Sequence, residues 1–121
     1  MPTGWDHAAA LERLDGDELL LVELISVFFE EYPKLAARLT QSLSLKDFAG
    51  LREAAHSLKG SLGYLGAVEG EALALALEHA SLSRDSARAG ELVAQLMAYI
   101  EAFRQLMVSA SGAPNDATPL Q

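Results

Sequence analysis

The chain has 121 residues, of which 50% are hydrophobic, so it is long enough for one domain with a buried core and too short for two. It contains no cysteine, which excludes a disulfide framework, a thiolate metal site and a cysteine nucleophile. A formal net charge of −8 argues against a nucleic-acid-binding protein, because such proteins need a basic surface.

The chain also lacks the signals of secretion and membrane insertion. Residues 1–7 contain neither a basic region nor an apolar region of the kind found in signal peptides. The apolar run from Leu19 to Phe29 is interrupted by Glu23 and is too short to cross a bilayer. A cytoplasmic protein without membrane insertion is therefore expected.

Two helices are predicted in the first part of the chain, where strand signals are nearly absent. Asp6 is placed to cap a short helix that runs to about Leu14. Asp17 follows a turn and can cap a second, strongly apolar helix to about Glu31. Pro33 is expected either to kink this helix or to restart it.

The remaining pattern predicts three further helical segments. Leucines continue an apolar stripe to about Ser44, Asp47 can cap the next helix, and that helix should end between residues 63 and 66. A fourth segment covers about residues 68–82, and a last helix, capped by Asp85 or Ser86, follows it.

The predicted domain covers residues 1–108. Long helices joined by short turns favour an all-α fold, an up-and-down four-helix bundle with an additional short N-terminal helix. Residues 109–121 are rich in Ser, Pro, Ala and Asn and are predicted to form a disordered tail.

The helix that begins near Asp47 carries a histidine on its outer side. Its apolar residues recur at steps of three and four, which defines one buried stripe: Phe48, Leu51, Ala55, Leu58, Leu62 and Leu65. At about 100° per residue, His56 lies roughly 130° from the centre of that stripe, so its ring is expected to face solvent. Lys59 is one turn further on, where the two side chains can meet.

Two glycines on the same side make this surface unusual. Gly60 and Gly63 each cost about 1 kcal/mol relative to alanine in a helix interior, and glycine is useful where another molecule must approach the backbone closely. We therefore interpret this side of the helix as a surface on which a second protein docks. The predicted docking surface consists of Arg52, His56, Lys59, Gly60 and Gly63, followed by Tyr64.

The segment from His56 to Gly60, His-Ser-Leu-Lys-Gly, together with Gly66 and Ala67, resembles the signature of histidine-containing phosphotransfer (HPt) domains. That signature is H-x-L-K-G, five variable residues, then Gly and a small residue. The resemblance covers roughly residues 5–106. It implies a relay that accepts a phosphoryl group on His56 from a phospho-aspartate in a receiver domain and passes it to another receiver aspartate.

The resemblance also implies roles for the neighbouring residues. Lys59 would be the cation beside the phosphoacceptor, Gly60 would leave room for the receiver, and Gly63 stands where the family favours a small residue. Tyr64 departs from the small or polar residue that is common at its position.

The implied partners are response-regulator receiver domains or a hybrid sensor histidine kinase. The receiver would supply Mg²⁺, and the chain would need no cofactor or metal of its own. No independent kinase or nucleotide-binding activity is implied, and a monomer is expected.

Three other interpretations compete with a relay. Glu53 and His56 have a Glu-x-x-His spacing, but di-iron bundles use that motif in pairs that point inward. A histidine-kinase dimerisation helix would precede a nucleotide-binding domain, and no Gly-rich phosphate loop follows here. A non-catalytic helical scaffold that binds partner proteins explains the glycines but not the pairing of His56 with Lys59. Within the relay interpretation, Glu53 either orients the His56 ring or is simply a solvated acid.

Overall fold

A computed structural model describes the backbone of residues 5–111 and the side chains of residues 5–107. Within these residues the chain forms five helices and no β-strand, which confirms the predicted all-α class. The helices are α1 (His7–Arg13), α2 (Glu18–Ser44), α3 (Phe48–Tyr64), α4 (Val68–Leu82) and α5 (Ser86–Ser111).

The four long helices form one bundle. α3 packs on α2 and α4, α5 packs on α4 and α2, and α1 lies against α2. Consecutive long helices are joined by turns of only three residues, 45–47, 65–67 and 83–85, and such short connections place neighbours side by side in opposite directions. None of the helices in the described part of the chain combines the length and apolarity needed to cross a membrane.

Aspartates begin four of the five helices, as the sequence predicts. The carboxylates of Asp6, Asp17, Asp47 and Asp85 each accept a hydrogen bond, 3.0 Å long, from the backbone N–H three residues further on. An N-cap of this kind satisfies an amide that has no partner inside the helix and contributes about 1 kcal/mol. Of the two caps proposed for the last helix, Asp85 is therefore the one used.

Of the two alternatives at Pro33, a restart of the helix is wrong, and the boundary expected near Glu31 is not a helix end. α2 continues through Pro33 to Ser44, although proline cannot donate a hydrogen bond to the preceding turn. Phe28 and Leu39, on either side of the proline, are both buried in the core. Burial of apolar side chains on both halves holds the helix together across the missing hydrogen bond.

The last helix also extends further than predicted. α5 reaches Ser111, three residues past the expected boundary at 108. The rest of the predicted tail, residues 112–121, lies outside the described residues.

The core fixes how α3 is rotated. Its side chains Leu51, Leu58 and Leu62 are fully buried, and each contributes about 1.5–3 kcal/mol relative to an exposed position. Because a helix is rigid about its axis, the burial of this stripe turns the opposite side of α3, with His56, toward solvent.

An N-terminal strap, residues 5–13, covers the turn between α3 and α4. The indole Nε1 of Trp5 donates a hydrogen bond to the carbonyl of Leu65 at 2.9 Å, and the Asp6 amide donates to the carbonyl of Gly66 at 2.6 Å. Arg13 Nη1 donates to the carbonyls of residues 63 and 64, both at 3.0 Å. The strap therefore supplies donors to carbonyl groups at the C-terminal end of α3, where no further turn of helix can do so.

Candidate functional site

His56 lies on the outer side of α3 with 69% of its side chain exposed. Its neighbours Ala54 and Ala55 are fully buried, so the backbone is held firmly while the ring projects outward. The outward orientation predicted from helical phase is confirmed. One ring nitrogen, however, is not free, because a residue of α4 binds it.

That residue is Glu78, whose carboxylate joins the histidine to the lysine. Glu78 Oε2 lies 2.9 Å from His56 Nδ1, and Glu78 Oε1 lies 2.8 Å from Lys59 Nζ. The Glu78 side chain is only 11% exposed, whereas that of Lys59 is 28% exposed. The three side chains form a cluster, here called the His-Glu-Lys cluster, with the imidazole at its solvent edge.

The Glu78 carboxylate is held in its charged form. The hydrogen bond from Lys59 is the largest cause that lowers its pKa, partial burial opposes this by raising the pKa, and the hydrogen bond with His56 lowers it further. The net direction is downward from the ordinary value of 4.5. Glu78 is therefore ionised at neutral pH and acts only as a hydrogen-bond acceptor.

The ionised carboxylate determines which nitrogen of His56 carries the proton. An acceptor-only group can bind Nδ1 only if Nδ1 carries hydrogen. In a neutral imidazole with the proton on Nδ1, the other nitrogen, Nε2, has the free lone pair. The geometry thus makes Nε2 the nucleophilic atom of His56.

The hypothesis that Glu53 orients the ring is wrong. Glu53 instead forms an ion pair with Arg38 of α2. Sequence reasoning missed Glu78 as the orienting residue. One signal was present, because residues 72–77 are all Ala or Leu and Glu78 is the acid that directly follows them.

The predicted docking residues do not all have the same surroundings. Arg52 is exposed, and a Cβ atom added at Gly60 would meet nothing within 4 Å, so the backbone is open to an approaching molecule there. Tyr64 is 48% exposed. A Cβ at Gly63, by contrast, would lie 2.7 Å from the carboxylate at the end of the flexible Glu71 side chain of α4, which would have to move aside.

An apolar groove between α2 and α3 begins beside the histidine. Val27 and Leu35 of α2 line one side, and His56, Gly60 and Tyr64 of α3 line the other. Val27 is 50% exposed, so this part of the groove presents an apolar side chain to solvent. An exposed apolar strip next to a reactive side chain is typical of a surface that binds another protein.

The described part of the chain contains no cluster of side chains suited to bind a metal ion. Among these residues no group of three or more His, Asp or Glu side chains is placed to hold a metal ion. The Glu-x-x-His spacing of Glu53 and His56 does not form a joint site, because Glu53 points to Arg38.

The profile of the Hpt domain family matches residues 23–106, which is more than two thirds of the chain. The chain therefore belongs to the Hpt domain family. This membership supports a phosphotransfer role in two-component signalling, and Hpt domains interact with response-regulator receiver domains and kinases. Neither a curated protein nor a solved structure shows significant similarity to the chain.

The lowered pKa of Glu78 leads to a prediction about stability. A carboxylate whose pKa is lower in the folded state stabilises the fold above its unfolded pKa, and this contribution is lost as the pH falls through the folded value. Wild type should therefore exceed Glu78→Gln in free energy of unfolding at pH 7, and the difference should shrink below about pH 4.5. Urea titrations between pH 7 and pH 3 measure both curves.

The control is Glu23→Gln, which removes an exposed acid that lies past the first turn of α2. Its curve should stay parallel to that of wild type. A constant gap between wild type and Glu78→Gln over the whole pH range would contradict the prediction, because the stabilisation would then not depend on the charge of Glu78.

Proposed function

We propose that this protein relays a phosphoryl group between receiver-domain aspartates through a phosphohistidine at His56. The observation that carries the proposal is the His-Glu-Lys cluster, in which an exposed imidazole is oriented through Nδ1 so that Nε2 is left for attack. An exposed, oriented nucleophile fits a carrier of a group that another protein delivers and removes.

The transfer step follows from this geometry. The lone pair of His56 Nε2 attacks the phosphorus of an aspartyl phosphate, the Nε2–P bond forms, the P–O bond to the aspartate breaks, and the aspartate leaves as a carboxylate. The ring keeps its proton on Nδ1 and gains positive charge. Glu78, 2.9 Å from Nδ1, stabilises that charge, much as a carboxylate stabilises the imidazolium formed in serine hydrolases.

Lys59 contributes charge on the other side of the cluster. Its ammonium group holds Glu78 in the ionised form and lies one turn from His56, where it offsets part of the charge that the phosphoryl group brings. Ion pairs near a surface contribute only about 0–1 kcal/mol. Lys59 is therefore expected to tune the rate of transfer and the lifetime of the phosphohistidine rather than to be essential.

The receiver would dock over Gly60 and the groove between α2 and α3. Phosphoryl transfer depends mainly on in-line placement and charge stabilisation, and an open backbone at Gly60 lets the receiver's phospho-aspartate come close to Nε2. The receiver would bring its own Mg²⁺, and Arg52 and Tyr64 would lie at the border of the contact. We place such a relay in the cytoplasm.

The test is transfer of labelled phosphate from a phosphorylated receiver domain to the purified chain. The label should appear on the chain and should be lost in acid but retained in alkali, since a P–N bond to imidazole is acid-labile and an aspartyl phosphate is alkali-labile. If several phosphorylated receivers give no label to the folded chain, a non-catalytic scaffold that binds partner proteins becomes the better interpretation.

A further inference from the structure

One acid lines the apolar groove between α2 and α3. Apolar side chains form most of the groove's walls, and among the described residues that line it Glu31 is the only Asp, Glu, Lys or Arg. The Glu31 side chain is 61% exposed, so its carboxylate lies at the open edge of the groove. Because His56 and Gly60 line the same groove, Glu31 faces the space in which a partner of the proposed site docks.

The register of the two helices places Glu31 opposite Gly60. Arg38 of α2 pairs with Glu53 of α3, and these neighbouring helices run in opposite directions. Equal steps away from this pair therefore remain level with each other, since both helices rise equally per residue. Seven residues from the pair, Glu31 is level with Gly60. Four residues of helix correspond to about 6 Å, so the acid lies about one turn along the groove from His56.

The one ionic contact of Glu31 within the described residues leaves its charge available to a partner. Lys34 Nζ lies 3.7 Å from Glu31 Oε1, which is too long for a hydrogen bond. The Lys34 side chain is 81% exposed, and exposed ion pairs of this kind contribute little to stability. A cation on a docking protein can therefore displace Lys34 from the carboxylate at little cost.

The other acids near His56 are already engaged. Glu78 is only 11% exposed, and its two carboxylate oxygens lie against His56 and Lys59. Glu53 forms its ion pair with α2. Of these three acids, Glu31 is the one left for a docking protein to bind.

A carboxylate at this place opposes any receiver that offers it no partner. When a receiver covers the groove, apolar walls such as Val27 and Leu35 exclude water, and an unpaired charge among them becomes costly. The phosphoryl group, with a charge of about −1.5 to −2, adds repulsion that the receiver's own Mg²⁺ offsets in part. A receiver whose phosphorylation site has a neutral or acidic rim is therefore disfavoured.

We propose that Glu31 determines which receivers can use His56, by selecting those that carry a Lys or Arg on the rim of the phosphorylation site. This inference rests on the proposed relay and adds the chemistry of the partner's surface. The cation binds Glu31 across the groove from Gly60 and displaces Lys34. An acidic side chain at the same place on a receiver prevents docking, because like charges are then brought together across the interface.

Transfer kinetics test this selection. The probe is the phosphorylated receiver domain that, among several, labels the wild-type chain with the lowest KM. Glu31→Lys should raise that KM about tenfold, since an attractive pair becomes a repulsive one, while kcat changes little. The difference from wild type should shrink in about 1 M salt, where the Debye length is about 3 Å.

Glu30→Lys is the matched control, because it makes the same change of net charge at the adjacent exposed residue, which lines a different groove between α2 and α5. This variant should keep the wild-type KM. Labelling of Glu31→Lys by phosphoramidate, a small phosphoryl donor, should proceed as in wild type and would show that His56 is undisturbed.

The reciprocal change on the receiver identifies the cation. Each exposed Lys or Arg on the rim of its phosphorylation site is replaced by Glu in turn, and one of these changes should raise the KM for wild type and restore transfer to Glu31→Lys. An unchanged KM for Glu31→Lys, or an equal rise for Glu30→Lys, would overturn selection by Glu31 and leave the relay in place. Failure of every receiver to label wild type would overturn the relay, and this inference with it.

Discussion

Replacing His56 by glutamine should abolish phosphoryl transfer to this protein while leaving its fold intact. Glutamine keeps a polar side chain that can still donate a hydrogen bond to Glu78, but its amide has no lone pair nucleophilic enough to attack phosphorus. Because the ring is 69% exposed, little packing is lost and the free energy of unfolding should change by less than about 1 kcal/mol. The measurement is labelled transfer from a phosphorylated receiver to both proteins.

The matched control for this substitution is His7→Gln. His7 is also partly exposed. It lies in α1, which contributes no residue to the His-Glu-Lys cluster. This variant should accept label at the wild-type rate. Label on His56→Gln would mean that another residue is the phosphoacceptor, and the proposed role of His56 would have to be abandoned.

Gly60→Glu should give a folded protein that accepts phosphate from a receiver about 10²-fold more slowly, the order of loss that small misplacements of reacting groups cause. A Cβ at Gly60 meets nothing within 4 Å, so the new side chain fits within this chain. It would, however, stand one turn from His56, in the space that the receiver must enter. The helix itself should gain slightly in stability, since glycine is the poorer helix former by about 1 kcal/mol.

Two comparisons separate docking from chemistry for Gly60→Glu. Ala94→Glu adds the same charge at an exposed position of α5 and should transfer normally. Phosphoramidate, a small donor that forms the Nε2–P bond with release of ammonia, should label Gly60→Glu at nearly the wild-type rate. Normal transfer from the receiver to Gly60→Glu would contradict the close approach, whereas slow reaction with both donors would show that the variant has disturbed His56.

Local chemistry made most of the fold predictable. Each aspartate cap depends on a hydrogen bond to an amide three residues away, so Asp6, Asp17 and Asp47 could be recognised from short stretches of sequence. The sequence left a kink or a restart open at Pro33, because local propensity does not decide between them. Burial of Phe28 and Leu39 against other helices favours the continuous helix, and this is a tertiary effect.

The candidate site also has features that could be predicted from one helix and features that depend on how helices pack. The exposure of His56 follows from the phase of one helix, and that phase is readable from the spacing of its leucines. The contact of His56 with Glu78 joins residues 22 positions apart, and it depends on the register in which α3 and α4 pack. Glu53 is nearer to His56 in sequence, but in the packed bundle it forms an ion pair with Arg38. The interpretation of Gly63 likewise used α3 alone and could not include the carboxylate of Glu71 in α4, which lies 2.7 Å from where a Cβ would stand.

The N-terminal strap is part of the folded unit, although it lies outside the segment that matches the family. The family profile starts at residue 23, yet Trp5, Asp6 and Arg13 supply the donors for the carbonyls at the end of α3. Gly66 has a φ of +80° and lies directly beneath the carbonyl of Asp6, where a Cβ would collide with it. A domain transplanted into another protein from residue 23 onward would expose the last turn of the histidine helix to water, so an exchangeable module of this protein has to include the strap from Trp5 onward.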